Sequence, residues 1–308
     1  MSSPSNRLRT ESRDLMELVV LPGLAALLPW RIGFRLLRRL SELLHPYADA
    51  VNNASRHAAA RGWVGDATHW SRVRRLVTLI DHADLYLSRT RSGVWLRRHV
   101  DVEGNWPAPG QPGIIFTFHW GAGMWGLRHA KASGLQAHAL VAPLDGAQFA
   151  GRRVLHAYAQ ARTAEVARAL QCPTLDTSSS LRPVLQTLRR GEQVVAAVDV
   201  PSDQVSASAQ VRLLGLAAQV PRGLFRLAVD QRVPVTVYLT GIDVGTGRRL
   251  LRIHQLGVRD NVELLAAEVF AFLDSAIRED PPSWHFWGEA DRIFVRPSAA
   301  SLAQGPDR

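Results

Sequence analysis

One histidine stands where an α/β protein would place a general base. His119 directly follows the apolar run 114–118, which is typical of a buried strand, and Gly121 and Gly123 follow within four residues. Glycines allow the backbone to turn closely before the helix that comes next. An imidazole has a pKa of about 6.5 and can accept a proton near neutrality, and N–H groups at a helix start can hold an anion or a developing oxyanion. The segment therefore predicts a proton-transfer site at a strand end.

The elements that would position this histidine alternate between strands and helices. Apolar or β-branched runs predict strands at 114–118, 137–141, 193–198, 233–240 and 249–256. The last of these alternates polar and apolar residues, as an exposed or edge strand would. Helical patterns lie near 124–133, 152–170, 180–190, 221–231 and 260–279. The alternation predicts an α/β fold with a mostly parallel sheet flanked by helices, whose ligands bind beyond the carboxyl ends of the strands.

Composition excludes several classes of protein. Hydrophobic residues make up 46% of the 308 residues and charged residues 21%, which is ordinary for a globular chain and excludes a long disordered one. Cys172 is the only cysteine, so an internal disulfide is impossible and a reducing compartment is expected. The sequence has no serine-hydrolase elbow, no nucleotide-binding glycine motif and no His/Cys cluster with metal-ligand spacing. We therefore expect no cofactor and no metal.

The amino-terminal third is strongly basic. Residues 1–100 hold 16 arginines and 8 acidic residues, which is +8 of the net charge of +10. Residues 15–30 are mostly apolar but fall short of the roughly 20 residues that span a bilayer. Residues 30–44 form a basic amphipathic helix with Arg31, Arg35 and Arg38 on one face. Such a helix can lie in a membrane interface with its arginines toward phosphates.

Two alternatives compete with membrane contact for this helix. Its apolar face can pack on the protein's own core, as in most surface helices, or its basic face can bind nucleic acid. The chain has no zinc-finger spacing, RNP-type aromatic string or basic zipper, so we expect no nucleic-acid partner. The sequence thus favours a helical, membrane-associating amino-terminal segment.

Several blocks in order carry a family resemblance. They read His119-Trp-Gly-Ala-Gly-Met124, Leu24-Ala-Ala-Leu-Leu-Pro-Trp-Arg31, Leu188-Arg-Arg-Gly191 with Val194–Asp199, Val211-Arg-Leu-Leu-Gly-Leu-Ala217, Val220-Pro-Arg-Gly-Leu-Phe-Arg-Leu-Ala228, Val233-Pro-Val235 and Pro282-Ser-Trp-His-Phe-Trp287. Together they resemble the lipid A biosynthesis (lauroyl and myristoyl) acyltransferases, within the lysophospholipid and glycerolipid acyltransferase superfamily. That family's hallmark is His, four residues, then Asp or Glu.

The resemblance implies a fold, a reaction and a place in the cell. It implies a glycerolipid-acyltransferase-like α/β fold in which His119 is the general base. The enzyme would move an acyl chain from an acyl carrier protein or coenzyme A thioester to a hydroxyl of a lipid or glycolipid acceptor. The implied location is the cytoplasmic face of the bacterial inner membrane, with the phospholipid surface as partner and with peripheral attachment or a single amino-terminal anchor.

Met124 departs from the family pattern, because it occupies the position of the motif acid. A thioether cannot orient an imidazole as the carboxylate of a catalytic triad does. Three hypotheses remain. A carboxylate from another strand end replaces the acid, with Asp199 the first candidate and Asp145 the second; His119 works alone at a reduced rate; or the chain is a catalytically inactive relative with a binding or accessory role.

The remaining candidates would bind substrate. The tryptophans are by default core residues, but Trp120 and Trp125 flank the histidine and are candidates for lining an acyl or aromatic channel. Arg162 is a candidate for holding a phosphate. The resemblance adds Gly121, Gly123, Gly215 and Pro221 to the substrate-binding set.

The chain divides into four predicted regions. Residues 1–14 are expected to be a disordered tail, 15–105 a basic helical lead-in, 106–296 the α/β domain and 297–308 a second disordered tail.

Overall fold

The computed structural model of the chain describes residues 4–149, 151–176, 180–201 and 207–295. The amino-terminal helices are α1 (Pro4–Asp14), a π-helical segment (Leu15–Val20), α2 (Leu21–Leu27), α3 (Trp30–Leu43), α4 (Ala48–Ala59), α5 (Ala67–Thr90) and α6 (Gly93–His99). The sequence predicts a disordered tail at residues 1–14, whereas the structure has a helix at Pro4–Asp14. Asp14 accepts a hydrogen bond from the guanidinium of Arg152, and Glu11 accepts one from the backbone N–H of Val154. These bonds hold the helix against the start of a later helix. The predicted tail at 297–308 lies outside the described residues.

The rest of the chain alternates strands with helices. The strands are β1 (Val100–Glu103), β2 (Gly113–Thr117), β3 (Ala137–Val141), β4 (Leu175–Asp176), β5 (Gln193–Ala197), β6 (Ser208–Leu213), β7 (Leu216–Pro221), β8 (Val235–Ile242) and β9 (Arg249–Gly257). The helices are α7 (Met124–Ala132), α8 (Arg153–Leu170), α9 (Arg182–Arg189), α10 (Gly223–Asp230), α11 (Val262–Glu279) and α12 (Ala290–Ile293), with short 3₁₀ turns at Gly146–Phe149, Pro281–Ser283 and His285–Glu289.

Seven strands form one mostly parallel sheet in the order β1-β9-β8-β2-β5-β3-β4. The strands β2, β3, β4, β5 and β8 run parallel, whereas β9 is antiparallel to β8 and β1 is parallel to β9. The predicted α/β fold with a mostly parallel sheet between helices is therefore confirmed. Of the two alternatives for 249–256, an exposed strand or an edge strand, the edge position is wrong because β1 pairs with its outer side, and the second half of the strand is partly exposed.

The sheet has a hydrophobic core on each face. Along β2, Ile115 faces one core, whereas Ile114 and Phe116 face the other, as the alternation of side chains along a strand requires. The first core is covered by most of the amino-terminal helices together with α7 and α8, and the second by α9, α10 and α11, with Ala54 and Ala58 of α4 and Trp70 of α5. The lead-in therefore packs directly on the sheet.

The amphipathic helix α3 uses its apolar face inside the protein. Trp30, Phe34 and Leu37 are buried in the first core. Gly33 passes so close to α2 that a Cβ there would lie 2.3 Å from the carbonyl oxygen of Ala25. The protein core therefore covers Trp30, Phe34 and Leu37, whereas Leu43 and Leu44 at the end of the predicted helix stay exposed.

Candidate functional site

The sheet register brings His119 and Asp199 side by side. In the parallel pair β2–β5, Thr117 lies opposite Ala197. Two residues further along each strand, the chain reaches His119 and Asp199, at the carboxyl edge of the sheet. The backbone N–H of His119 donates to both carboxylate oxygens of Asp199, at 3.1 and 3.0 Å.

The two side chains form a hydrogen-bonded dyad. His119 Nδ1 lies 2.8 Å from Asp199 Oδ1. The carboxylate is 1% exposed and the imidazole side chain 40% exposed. Because a carboxylate accepts, the bond places the proton on Nδ1 and leaves the lone pair on Nε2. The dyad thus presents a basic nitrogen on a partly accessible ring.

The residues Pro281–Trp287 pass over the dyad, and we call them the strap. Trp284 Nε1 donates to Asp199 Oδ2 at 2.9 Å. The backbone N–H of His285 donates to the carbonyl of His119 at 2.8 Å. The ring of Phe286 stacks on the imidazole, with centroids 4.0 Å apart and planes at 19°. The strap therefore contacts both members of the dyad.

A buried arginine holds the strap against α5. The guanidinium of Arg74 donates to the carbonyls of Pro282, Trp284 and His285 at 2.9–3.1 Å. Burial lowers the pKa of Arg74 to about 10, so it is still charged at neutral pH. Three carbonyl acceptors offset part of the cost of burying that charge.

His285 links the strap to the glycine turn after β2. Its Nε2 lies 3.0 Å from the carbonyl oxygen of Gly121, which accepts. Burial, together with the nearby positive charge of Arg74, lowers the pKa of His285 to about 4. The ring is therefore neutral near pH 7, with its proton on Nε2.

The glycine turn after the dyad is closely packed. Gly121 has a φ of +49°, and a Cβ on it would lie 2.4 Å from the carbonyl oxygen of Thr240, so only glycine fits. The amides of Gly121 and Ala122 donate to the carbonyls of Ser283 and Thr240. These two amides are therefore not available to an anion, in contrast to the expectation for this helix start.

The backbone amides of the next two residues differ from those of Gly121 and Ala122 in their hydrogen bonding. Within the part of the chain that the structure describes, the N–H groups of Gly123 and Met124 have no hydrogen-bond acceptor. They open helix α7 and are the donors that this turn can offer to a ligand.

The two other positions considered for an acid do not reach the dyad. Met124 is 4% exposed and packs in the first core at the start of α7. Asp145 is exposed in the loop after β3, where it accepts from the N–H of Ala147 at 3.0 Å. Of the three positions, only Asp199 contacts His119.

Both tryptophans beside the histidine are core residues. Trp120 is 5% exposed and pairs through its backbone with Trp284, and Trp125 is fully buried against Trp95. Their positions do not support a role in lining an acyl channel. Two clefts of about 470 and 290 Å³ lie elsewhere, one between α3 and α5 and the other beside residues 102–109.

The remaining predicted binding residues lie away from the dyad or are engaged. Arg162 pairs with Asp81 at 2.8 Å on the inner side of α8. Gly215, with a φ of +80°, forms the tight turn of the hairpin β6–β7, and Pro221 ends that hairpin. Gly123 has an ordinary φ of −51° and open space around it. Among the described residues, no hydrogen bond, ion pair or ring contact joins any of these four residues to His119.

Sequence reasoning missed the residues that support the dyad. Trp284, His285 and Phe286 stand out in the sequence only as part of one block that carries the family resemblance, and nothing in the sequence distinguishes Arg74. The available signal was the dense aromatic run 284–287 late in the chain. Nothing local to that run indicates which carboxylate its ring N–H would meet.

Comparisons with known proteins do not assign the chain to a family. No family model matches the sequence, and no curated protein matches it. Among the described residues, no group of three His, Cys, Asp or Glu side chains converges in a way that could hold a metal ion.

Proposed function

We propose that the protein is an acyltransferase in which His119 is the general base and Asp199 replaces the acid of the family motif. The observation that carries this proposal is the 2.8 Å contact between His119 Nδ1 and Asp199 Oδ1 on a ring that is partly accessible. A carboxylate behind an imidazole holds the tautomer and stabilises the imidazolium that forms when a proton is taken. The sequence blocks that carry the family resemblance, and their order along the chain, support acyl transfer rather than another reaction that uses a histidine as general base.

The proposed reaction transfers an acyl group from a thioester to a hydroxyl. Nε2 of His119 removes the hydroxyl proton as the oxygen attacks the thioester carbonyl carbon. The amides of Gly123 and Met124 are the donors available to the oxyanion. When the carbon–sulfur bond breaks, the leaving thiolate takes the proton back from Nε2. The products are an ester and the free thiol of the donor.

The donor and the acceptor follow from the resemblance. The donor would be the thioester of an acyl carrier protein or coenzyme A, and no separate cofactor is needed. The acceptor would be a lipid or glycolipid that carries a free hydroxyl.

A second surface of the protein supports the proposal that it acts at a membrane. Segments α1, Leu15–Val20 and α2 form one continuous helix, since Asp14 and Val20 at the junctions have right-handed helical backbone angles. Met16, Val20, Leu24 and Leu27 are all exposed on it. Their spacing of four, four and three residues places them along one side, and we call them the apolar stripe.

The apolar stripe is flanked by positive charge. Arg31 and Arg35 are exposed on the first turns of α3, directly after the stripe. Apolar side chains beside arginines suit the boundary between acyl chains and anionic headgroups. None of the described helices is both long and apolar enough to cross a bilayer. We propose interfacial attachment at the cytoplasmic face of a bacterial inner membrane.

Acyl transfer by purified protein tests the proposal. Radiolabelled acyl carrier protein and acyl-coenzyme A donors are offered with bacterial lipid extracts and lysolipids as acceptors, and labelled lipid is counted. Wild type should form labelled ester, and His119→Ala should reduce the rate about 10²–10⁴-fold. His254→Ala, which removes an exposed histidine on β9, should keep the rate.

Two results would contradict the proposal. Equal rates in wild type and His119→Ala would remove His119 as the base. No transfer from any donor by folded wild type would favour the catalytically inactive, accessory relative instead.

A further inference from the structure

We infer that Trp284 is a positioning residue that sets the Asp199 carboxylate for His119; this inference rests on the proposed function. The indole does not touch the imidazole. It donates to Asp199 Oδ2, the carboxylate oxygen that does not bind the imidazole. By fixing the carboxylate, it fixes the orientation of the His119 ring.

The two carboxylate oxygens have separate side-chain partners. Oδ1 faces His119 Nδ1 at 2.8 Å, and Oδ2 accepts from Trp284 Nε1 at 2.9 Å. The backbone N–H of His119 bridges both oxygens. The terminal torsion of an aspartate is intrinsically broad, so donors on both oxygens are what hold the carboxylate in one orientation.

Trp284 is itself immobilised on several sides. It is fully buried, and its ring meets those of Trp287 and Phe294 edge to face, with centroids 5.0 and 6.3 Å apart. Its backbone pairs with Trp120, and its carbonyl accepts from Arg74 at 2.9 Å. An indole that cannot move is a fixed donor, so the position of its N–H determines the position of the carboxylate.

Loss of the Trp284 ring N–H should impair His119 as a base without changing the binding of substrate. Without it, one oxygen of a buried carboxylate has lost its side-chain donor, and the carboxylate can rotate away from Nδ1. The imidazole then loses its preference for the tautomer with the proton on Nδ1. Because Trp284 is fully buried, substrate does not reach it, and KM should stay the same while kcat falls.

The neighbouring Trp287 supplies a matched control. It is also fully buried in the same segment, and its Nε1 donates to the carbonyl of Pro281 at 2.6 Å. Replacing either tryptophan by phenylalanine removes one ring and one buried N–H. Only Trp284→Phe removes a donor to Asp199, so an effect specific to that variant is not a general cost of packing.

The first readout does not need catalysis. Nitrogen-15 NMR of the full chain, with the His119 signals identified by their loss in His119→Ala, reports which ring nitrogen carries the proton above the imidazole pKa. Wild type and Trp287→Phe should show the Nδ1–H tautomer. Trp284→Phe should show a mixture of tautomers.

The second readout is the split between kcat and KM. A hydrogen bond to a charged group is worth about 10- to 100-fold in a rate constant, so kcat of Trp284→Phe should fall by about that factor relative to Trp287→Phe. If folded wild type transfers no acyl group, the proposed function has failed, and the NMR result still decides whether Trp284 orients the dyad. The inference is overturned if Trp284→Phe keeps the Nδ1–H tautomer of Trp287→Phe.

Discussion

At the scale of single residues, Asp199 determines which ring nitrogen of His119 can take a proton from a substrate. The bond to Asp199 occupies Nδ1 and leaves Nε2 for a substrate proton. Asp199 could be anticipated from the sequence, since residues that follow neighbouring parallel strands meet at one sheet edge. Trp284 could not be assigned, because its N–H meets a carboxylate 85 positions away in the chain.

Placing at position 124 the acid that the resembled family carries there should not increase acyl transfer. Met124 lies in the core at the start of α7, so Met124→Glu buries a carboxyl group for which the core offers no designed partner. We expect it to lower the free energy of unfolding by about 2 kcal/mol or more and to give no gain in acyl transfer. Urea denaturation and the transfer assay measure both effects.

Met124→Leu is the control for that substitution, since it keeps an apolar side chain of similar volume and should cost less than about 1.5 kcal/mol. A Met124→Glu protein that is more active than wild type would show that the native site is degenerate and that Asp199 does not replace the missing acid.

At the scale of elements, the site depends on a segment far from the strands that carry the dyad. The central strands are predicted well, because their apolar runs are buried on both faces. The strands β1 and β4 escaped prediction because they are short and lie at the two edges of the sheet, where three of the four residues of β1 and one of the two residues of β4 are exposed. The role of the strap escaped prediction because its contacts with His119, Asp199 and Arg74 join residues that are far apart in the chain.

The strap should loosen when Arg74 is removed. Arg74→Met leaves three carbonyls of the strap without their donor, and unsatisfied buried acceptors cost about 1–3 kcal/mol each. We expect faster hydrogen exchange in peptides covering 281–289, together with a lower kcat.

The adjacent Arg75 provides the comparison for that variant. It is also buried on α5, but its guanidinium donates to the carbonyl of Ser41 on α3. Arg75→Met should destabilise the fold without a selective change at 281–289. Equal exchange of these peptides in the two variants would show that Arg74 does not hold the strap.

At the scale of the whole molecule, the amino-terminal helices belong to the same body as the sheet. A buried pair between Asp84 on α5 and Arg249 on β9 joins them, and the Arg249 guanidinium lies 4.1 Å from the ring centre of Trp30. The sequence located a basic amphipathic segment but not which of its faces is free. That depends on tertiary packing, which covers Trp30, Phe34 and Leu37 of α3 and leaves the apolar stripe exposed.

The apolar stripe should determine binding to lipid. We expect wild type to float with vesicles that contain anionic phosphatidylglycerol, and Leu24→Asp/Leu27→Asp to bind at least about tenfold more weakly, since two exposed leucines would no longer enter the interface. The exposed fractions of these two side chains are 52% and 76%.

The matched control is Val258→Asp/Leu264→Asp, which places the same charges on side chains that are 51% and 52% exposed near α11. It should float like wild type. If both double variants bind vesicles equally, the stripe is not the contact surface.

The most direct test of the central claim is the kcat of Asp199→Asn in the acyl-transfer assay, compared with Asp145→Asn on the exposed loop. Asparagine fills the same space and can still accept from Trp284, but it cannot stabilise the imidazolium or hold its tautomer. If Asp199 has taken over from the missing motif acid, kcat should fall by about 10⁴-fold while Asp145→Asn keeps the wild-type rate. A folded Asp199→Asn protein that turns over like wild type would contradict the account.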